Sequence, residues 1–124
     1  MVHMRGQAVA AYTDATHGHT LSAVSGAYYR LLIERSEDAA KKFRRLATSV
    51  WDIVPAGKTD KEIASEGLAR MEDWMRELGL AMDITACGAD PSQLEGMADA
   101  CPINETGYVV LTREDVIDVL RQSL

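Results

Sequence analysis

Aromatic residues are scarce in this chain: one Phe, two Trp and four Tyr, 6% of the sequence. Packing therefore falls to Ala, Leu, Ile, Val and Met, as it does in helix bundles. Cysteine is rarer still, with only Cys87 and Cys101. They have no His or Cys neighbour at metal-ligand spacing, which excludes a cysteine-based zinc site and a disulfide scaffold. Two readings of the pair stay open, a disulfide closing a short loop or two unpaired thiols. The first residues, Met1-Val2-His3-Met4-Arg5, carry no apolar core of a secretion signal. The reducing cytoplasm and free thiols are therefore expected. No apolar run approaches the roughly 18 residues of a membrane span.

Positive charge is in deficit as well. Thirteen basic residues face nineteen acidic ones, for a net charge of −6 and a pI near 5.0. The densest basic stretch, Lys41, Lys42, Arg44 and Arg45, lies beside Glu37 and Asp38 and reads as a solvated helix face. No nucleic-acid partner and no membrane partner is expected. Nine glycines are scattered singly along the chain. None builds the glycine-rich strand-to-helix turn that cradles a pyrophosphate.

What is present is helical periodicity. The chain has 124 residues, 47% of them hydrophobic, one domain's worth with enough apolar surface for a real core. Residues 6–12 form a run of small side chains, which lets another element approach closely. Over residues 20–35, Leu21, Val24, Tyr28, Leu31 and Leu32 recur three and four apart. Ser36 caps the next helix, whose apolar face is Phe43, Leu46, Ala47, Val50 and Val54. Thr59 with Glu62 is a capping box, and Ala64, Leu68, Met71, Met75 and Leu78 follow, with Gly79 as the stop. Asp90-Pro91-Ser92-Gln93 and Thr112-Arg113-Glu114-Asp115 open two further helices. Residues 108–111 alone have strand character. The expected fold is all-α, a bundle of about six helices. Leu21, Val24, Tyr28, Phe43, Leu46, Val50, Leu68, Met71, Met75, Leu78 and Leu120 are expected to share one core, with Trp51 and Trp74 also packed.

Chemistry concentrates near the start. His3 and His17 lie fourteen positions apart, before and after one short helix. Neutral imidazole is a common ligand for divalent transition metals. Spacing alone leaves two readings, a shared ion or two unrelated surface histidines. Gly18 follows His17 and is expected to permit a tight backbone path there. His19 reads as a surface histidine or a support behind a ligand, and Asp14 as a loop-forming or capping acid.

The stretch from Val2-His3-Met4-Arg5-Gly6-Gln7 through Thr13-Asp14-Ala15-Thr16-His17-Gly18-His19-Thr20-Leu21 resembles the start of the C-terminal helical domain of iron-containing (group III) alcohol dehydrogenases, in their butanol-dehydrogenase branch. In that family a His opens the helix and a second follows in a T/N-H-G loop. Arg44-Arg45-Leu46-Ala47 with Val50-Trp51 is similar to a later family helix, and Met75-Arg76-Glu77-Leu78-Gly79-Leu80 to its F-x-x-L-G-L segment.

The resemblance implies the C-terminal part of the dehydroquinate synthase-like fold, with His3 and His17 as two of four ligands to a divalent metal, iron or zinc. It implies an NAD(P)-dependent alcohol or aldehyde oxidoreductase as the parent activity. The family's nucleotide-binding α/β domain and its other two ligands, an Asp and a His, have no counterpart in these 124 residues. The family's third histidine position is Gln7 here, which cannot relay a proton as imidazole does. The expectation is a single helical domain over residues 1–124, a fragment inactive alone that binds neither metal nor NAD(P) tightly. A homodimer or a separate nucleotide-binding domain would cover a face expected to expose Val9, Ala10 and Leu21. A non-catalytic self-association module is the competing reading.

Overall fold

Side-chain capping sets where half of the helices begin. The computed structural model describes residues 2–103 and 106–124. Asn104 and Glu105, inside the irregular stretch expected over residues 101–111, lie outside the described residues, as does Met1. Six helices follow one another: α1 (Val2–Ala10), α2 (His17–Arg35), α3 (Glu37–Val50), α4 (Asp60–Glu77), α5 (Leu94–Ala100) and α6 (Arg113–Arg121). A 3-10 turn, Pro91–Gln93, leads into α5. There is no strand among the described residues, and the fold is all-α. Residues 108–111 have no ladder partner; Leu111 is buried while Tyr108 and Val110 stay in solvent.

At α4 the Thr59 hydroxyl accepts the Glu62 amide, and the Glu62 carboxylate accepts the Thr59 amide at 2.7 Å. Thr112 and Asp115 close the same reciprocal box at α6. Asp90 and Gln93 do so ahead of α5, and Ser36 accepts the Ala39 amide at α3. Gly79 ends α4 at φ +74, donating to the Arg76 carbonyl while Leu80 donates to Met75. That is the Schellman arrangement, and it needs a residue that tolerates the left-handed region.

These boxes make stability depend on carboxylates. The Thr59 amide and hydroxyl hold the Glu62 carboxyl below its usual range, the Ser92 hydroxyl and amide do the same for Asp90, and Arg113 for Asp99. Burial pushes the Asp115 carboxyl up, but the Thr112 amide and Arg35, 2.7 Å away, outweigh it. A carboxyl lowered in the folded state adds stability above its unfolded pKa of about 4, and that stability is lost as pH falls through the folded value. The urea midpoint should therefore stay level from pH 7 to pH 5 and drop below about pH 4. A midpoint unchanged down to pH 2.5 would count against these bonds.

The apolar interior divides in two. The larger cluster joins α1, α2, α5, α6, residues 84–89, Leu111 and Ala39 of α3, with Val9, Val24, Ile84, Met97, Val116 and Leu120 buried. A smaller one holds Ile33, Ala40, Ala64 and Leu68, with Phe43 and Met71 packed against it, where α3 and α4 meet α2. Tyr29 touches both, its ring 5.7 Å from Tyr28 and 5.1 Å from Phe43. The expectation of one core is thus corrected. Val24, Tyr28, Leu68, Met75 and Leu120 are buried as expected, but Val50 is 55% exposed and Leu78 58%. Leu78 caps α4 beyond the level at which α3 ends, while Val50, the last residue of α3, lines an open groove beside Trp74 and Glu77. Val54 lies beyond α3 and is exposed too, and Trp74 is half-exposed against Trp51 rather than buried.

Candidate functional site

A close approach of α1 to α2 creates the site. Gly6 lies one turn beyond His3, and Leu21 one turn beyond His17. A Cβ on Gly6 would sit 2.8 Å from Leu21 Cδ2 and 3.3 Å from Leu21 Cα, so a side chain here would push Leu21 aside or ease the helices apart. With that contact made, the His3 and His17 rings come to a centroid distance of 4.8 Å, inclined at 78°. Both side chains are exposed to solvent. The small-residue run of α1 was legible as a close-packing segment, though its role in setting this distance was not.

Beside the pair lies a cleft of about 900 Å³, lined in part by Tyr12, Thr13, Asp14, Thr16, His19 and Cys87. His19 Nδ1 accepts the Ala81 amide at 2.9 Å, and the Ser22 hydroxyl donates to the Ala81 carbonyl at 2.6 Å. His19 thus pins the segment after α4 to the first turn of α2. With Nδ1 used as acceptor, the neutral ring carries its proton on Nε2. Asp14 is exposed in the loop between α1 and α2, and Gln7 is exposed one turn beyond His3 on α1. Gly18 does not take the tight path expected of it. It continues α2 without a positive φ, and a Cβ there would meet open space.

Cys87 and Cys101 are free and buried. Burial pushes the Cys87 thiol up, helped by the Asp83 charge. It pushes Cys101 up as well, partly offset by Arg5. Burial thus disfavours the thiolate at both positions.

Arg5 is the residue that sequence reasoning missed. It is only 2% exposed, and its guanidinium lies 5.4 Å from the centre of the Tyr28 ring. A cation over an aromatic face helps hold α1 on α2 next to the histidines. No pattern in the sequence marks an arginine as interior. Val9 is a second correction, fully buried rather than exposed on a face awaiting cover, while Ala10 and Leu21 are half-buried.

Comparison with known proteins gives this arrangement a context. The chain matches the C-terminal region of the Fe-containing alcohol dehydrogenase family over residues 1–124. It belongs to that family. Relatives include probable NADH-dependent butanol dehydrogenases 1 and 2 of Bacillus subtilis (strain 168), 32% and 30% identical over 98% of this chain. The chain spans about a third of the length of these family members, 31% and 32% respectively. The same fold occurs in an archaeal halo-thermophilic alcohol dehydrogenase from a Red Sea brine pool, with a TM-score of 0.85 and 23% identity. That match covers all of this chain and 32% of the other. The NADH-dependent butanol dehydrogenase A of Thermotoga maritima superposes with a TM-score of 0.82 at 19% identity, over 98% of this chain and 32% of that one. The resemblance read from the His3–His17 stretch is therefore a family membership. The bundle is the C-terminal helical part of the family's fold. No helix among the described residues is long and apolar enough to cross a membrane.

Proposed function

We propose that this chain is the metal-ligand-bearing helical part of an NAD(P)-dependent alcohol or aldehyde oxidoreductase, with His3 and His17 as two of the ligands. The observation that carries the proposal is the approach of the two rings. An ion bound at about 2.0–2.1 Å through a ring nitrogen sits roughly 3.2 Å from the ring centre, so two imidazoles on one ion have centroids about 4.5–5.2 Å apart. The 4.8 Å separation of His3 and His17 falls within that range. A T-shaped contact is also how two aromatic rings pack. Family membership is what favours the ligand reading over plain packing.

The donor set fits a divalent ion in part. Two imidazoles suit iron or zinc, and among the described residues no group of three or more His, Cys, Asp or Glu gathers around an ion. The remaining ligands then come from residues outside these, and the nicotinamide site from an α/β nucleotide-binding domain, on the same polypeptide or a separate one. A bound divalent ion supplies Lewis acidity toward an alcohol or aldehyde oxygen. His3 and His17 hold their rings at the exposed junction of α1 and α2, facing outward to such a domain. Gln7, one turn beyond His3, can donate and accept hydrogen bonds through its amide but cannot carry a proton between groups. The described residues offer no strand-to-helix turn for a pyrophosphate, so no step of nicotinamide chemistry is assigned to this chain.

The partner is accordingly a nucleotide-binding domain, with pairing of two copies as the second arrangement. The burial of Val9 removes part of the apolar surface that pairing would use.

Calorimetric titration with zinc tests the ligand assignment. One weak site is expected in the chain as it stands, with affinity lowered by about tenfold or more in both His3→Ala and His17→Ala. Equal affinity in all three proteins, with unchanged helical circular dichroism, would remove the histidines from the site. The same calorimeter should find no saturable NADH binding to this chain at micromolar concentration. Micromolar binding would place the cofactor site here instead.

A further inference from the structure

At the far end of the α3–α4 pair a second site is built from different chemistry. Arg70, Asp73, Trp74 and Glu77 stand at i, i+3, i+4 and i+7 of α4, one exposed stripe. Opposite them Trp51 caps the end of α3. Asp52 follows at φ 52, a left-handed turn that aspartate tolerates better than most residues, and Ile53 bonds back to the Ala47 carbonyl. The two indole rings lie 6.2 Å apart with their planes inclined at 56°, so they form a wedge rather than a stack. The groove they share measures about 310 Å³, and Asp52, Asp73, Glu77 and Arg70 line it. Three carboxylates against one guanidinium leave it with a charge of −2. Asp73 is already engaged by Arg76 at 2.7 Å. No ion pair among the described residues involves Asp52 or Glu77.

We propose that this groove binds an arginine side chain presented by a partner protein. Charge complementarity selects a cation, and the aromatic walls select which one. A guanidinium stacks flat on an indole face, where the ring quadrupole attracts it, while its edge offers N–H donors in the plane to flanking carboxylates. Lysine gains the charge attraction but not the flat stacking. An uncharged apolar side chain would bury against the tryptophans while stripping water from carboxylates it cannot satisfy. Trp74 is 47% exposed, so the ring a guanidinium would cover is open to solvent now. The groove shares no residue with the histidine pair or its cleft, and the proposal does not rest on the oxidoreductase reading.

The chain has only two tryptophans, so two indole N–H resonances report on the groove. The probe is the peptide acetyl-Gly-Arg-Gly-amide, compared with the same peptide carrying citrulline, which keeps the shape of arginine and loses its charge. The arginine peptide should shift both indole signals saturably at millimolar concentration. Citrulline should bind at least about tenfold more weakly, and 1 M salt should weaken the arginine complex by shortening the screening length. Glu77→Gln and Trp74→Ala, both at exposed positions, should each reduce the arginine affinity severalfold while the remaining amide spectrum stays in place. The proposal is overturned if neither indole signal moves, or if citrulline binds as well as arginine. It is also overturned if Glu77→Gln binds the arginine peptide as the parent chain does.

Discussion

Met97→Ala is expected to destabilise the chain by about 2–5 kcal/mol, a fall in melting temperature of roughly 8–20 °C. Met97 is fully buried on α5, within the cluster that joins α5 to α1 and α6. Truncation removes three heavy atoms from water-free contact and leaves a void that the short helix cannot easily collapse to fill. Alanine's small advantage in helix propensity, at most a few tenths of a kcal/mol over methionine, does not offset this. The effect reaches the site because α1, which carries His3, rests on α5. Thermal unfolding followed at 222 nm measures it. A loss under about 1 kcal/mol would mean that α5 moves inward to close the gap.

Gly67→Ala is expected to destabilise by about 1–3 kcal/mol, although alanine is the better helix former by about 1 kcal/mol. Gly67 lies in the middle of α4, and a Cβ there would fall 2.4 Å from Ala47 Cβ and 2.9 Å from Ala47 Cα. The obstruction includes backbone, which cannot swing aside as the end of a long side chain can. The two helices must separate, and the contact between α3 and α4 loosens along its length. A urea midpoint that falls with an unchanged slope is the expected signature. A midpoint that rises would show that propensity wins and that the helices part at little cost.

Helix boundaries were the most legible part of this fold because they are written in local chemistry. Thr59 with Glu62, Asp90 with Gln93, and Gly79 each act within a few residues of themselves, so sequence shows both partners at once. Which helix stripe is covered depends on how closely the neighbouring helix packs there and where it ends, and no local pattern carries that. Val50 and Leu78 sit in good apolar register and are exposed all the same. Arg5 is the reverse case, a charge made interior by Tyr28, twenty-three positions away along the chain (28 − 5). The histidine pair was visible as residue types, and the resemblance supplied its meaning. The Gly6–Leu21 contact that sets the ring separation is a long-range fit between two surfaces. The wedge formed by Trp51 and Trp74 was read as packing, since both fall near the apolar faces of their helices.

The division of the interior has a consequence for how the molecule breathes. α3 and α4 are glued mainly to each other, and they hold the rest through Ile33, Tyr29, the buried Ala39, and the exposed Arg30–Glu72 and Lys61–Glu34 contacts. Such a helix pair can detach as one cooperative unit at a free energy below that of global unfolding. Its amides then exchange with deuterium sooner than those of α1, α2 and α6. The histidines belong to the slower half, so their end keeps its geometry while the tryptophan end opens and closes.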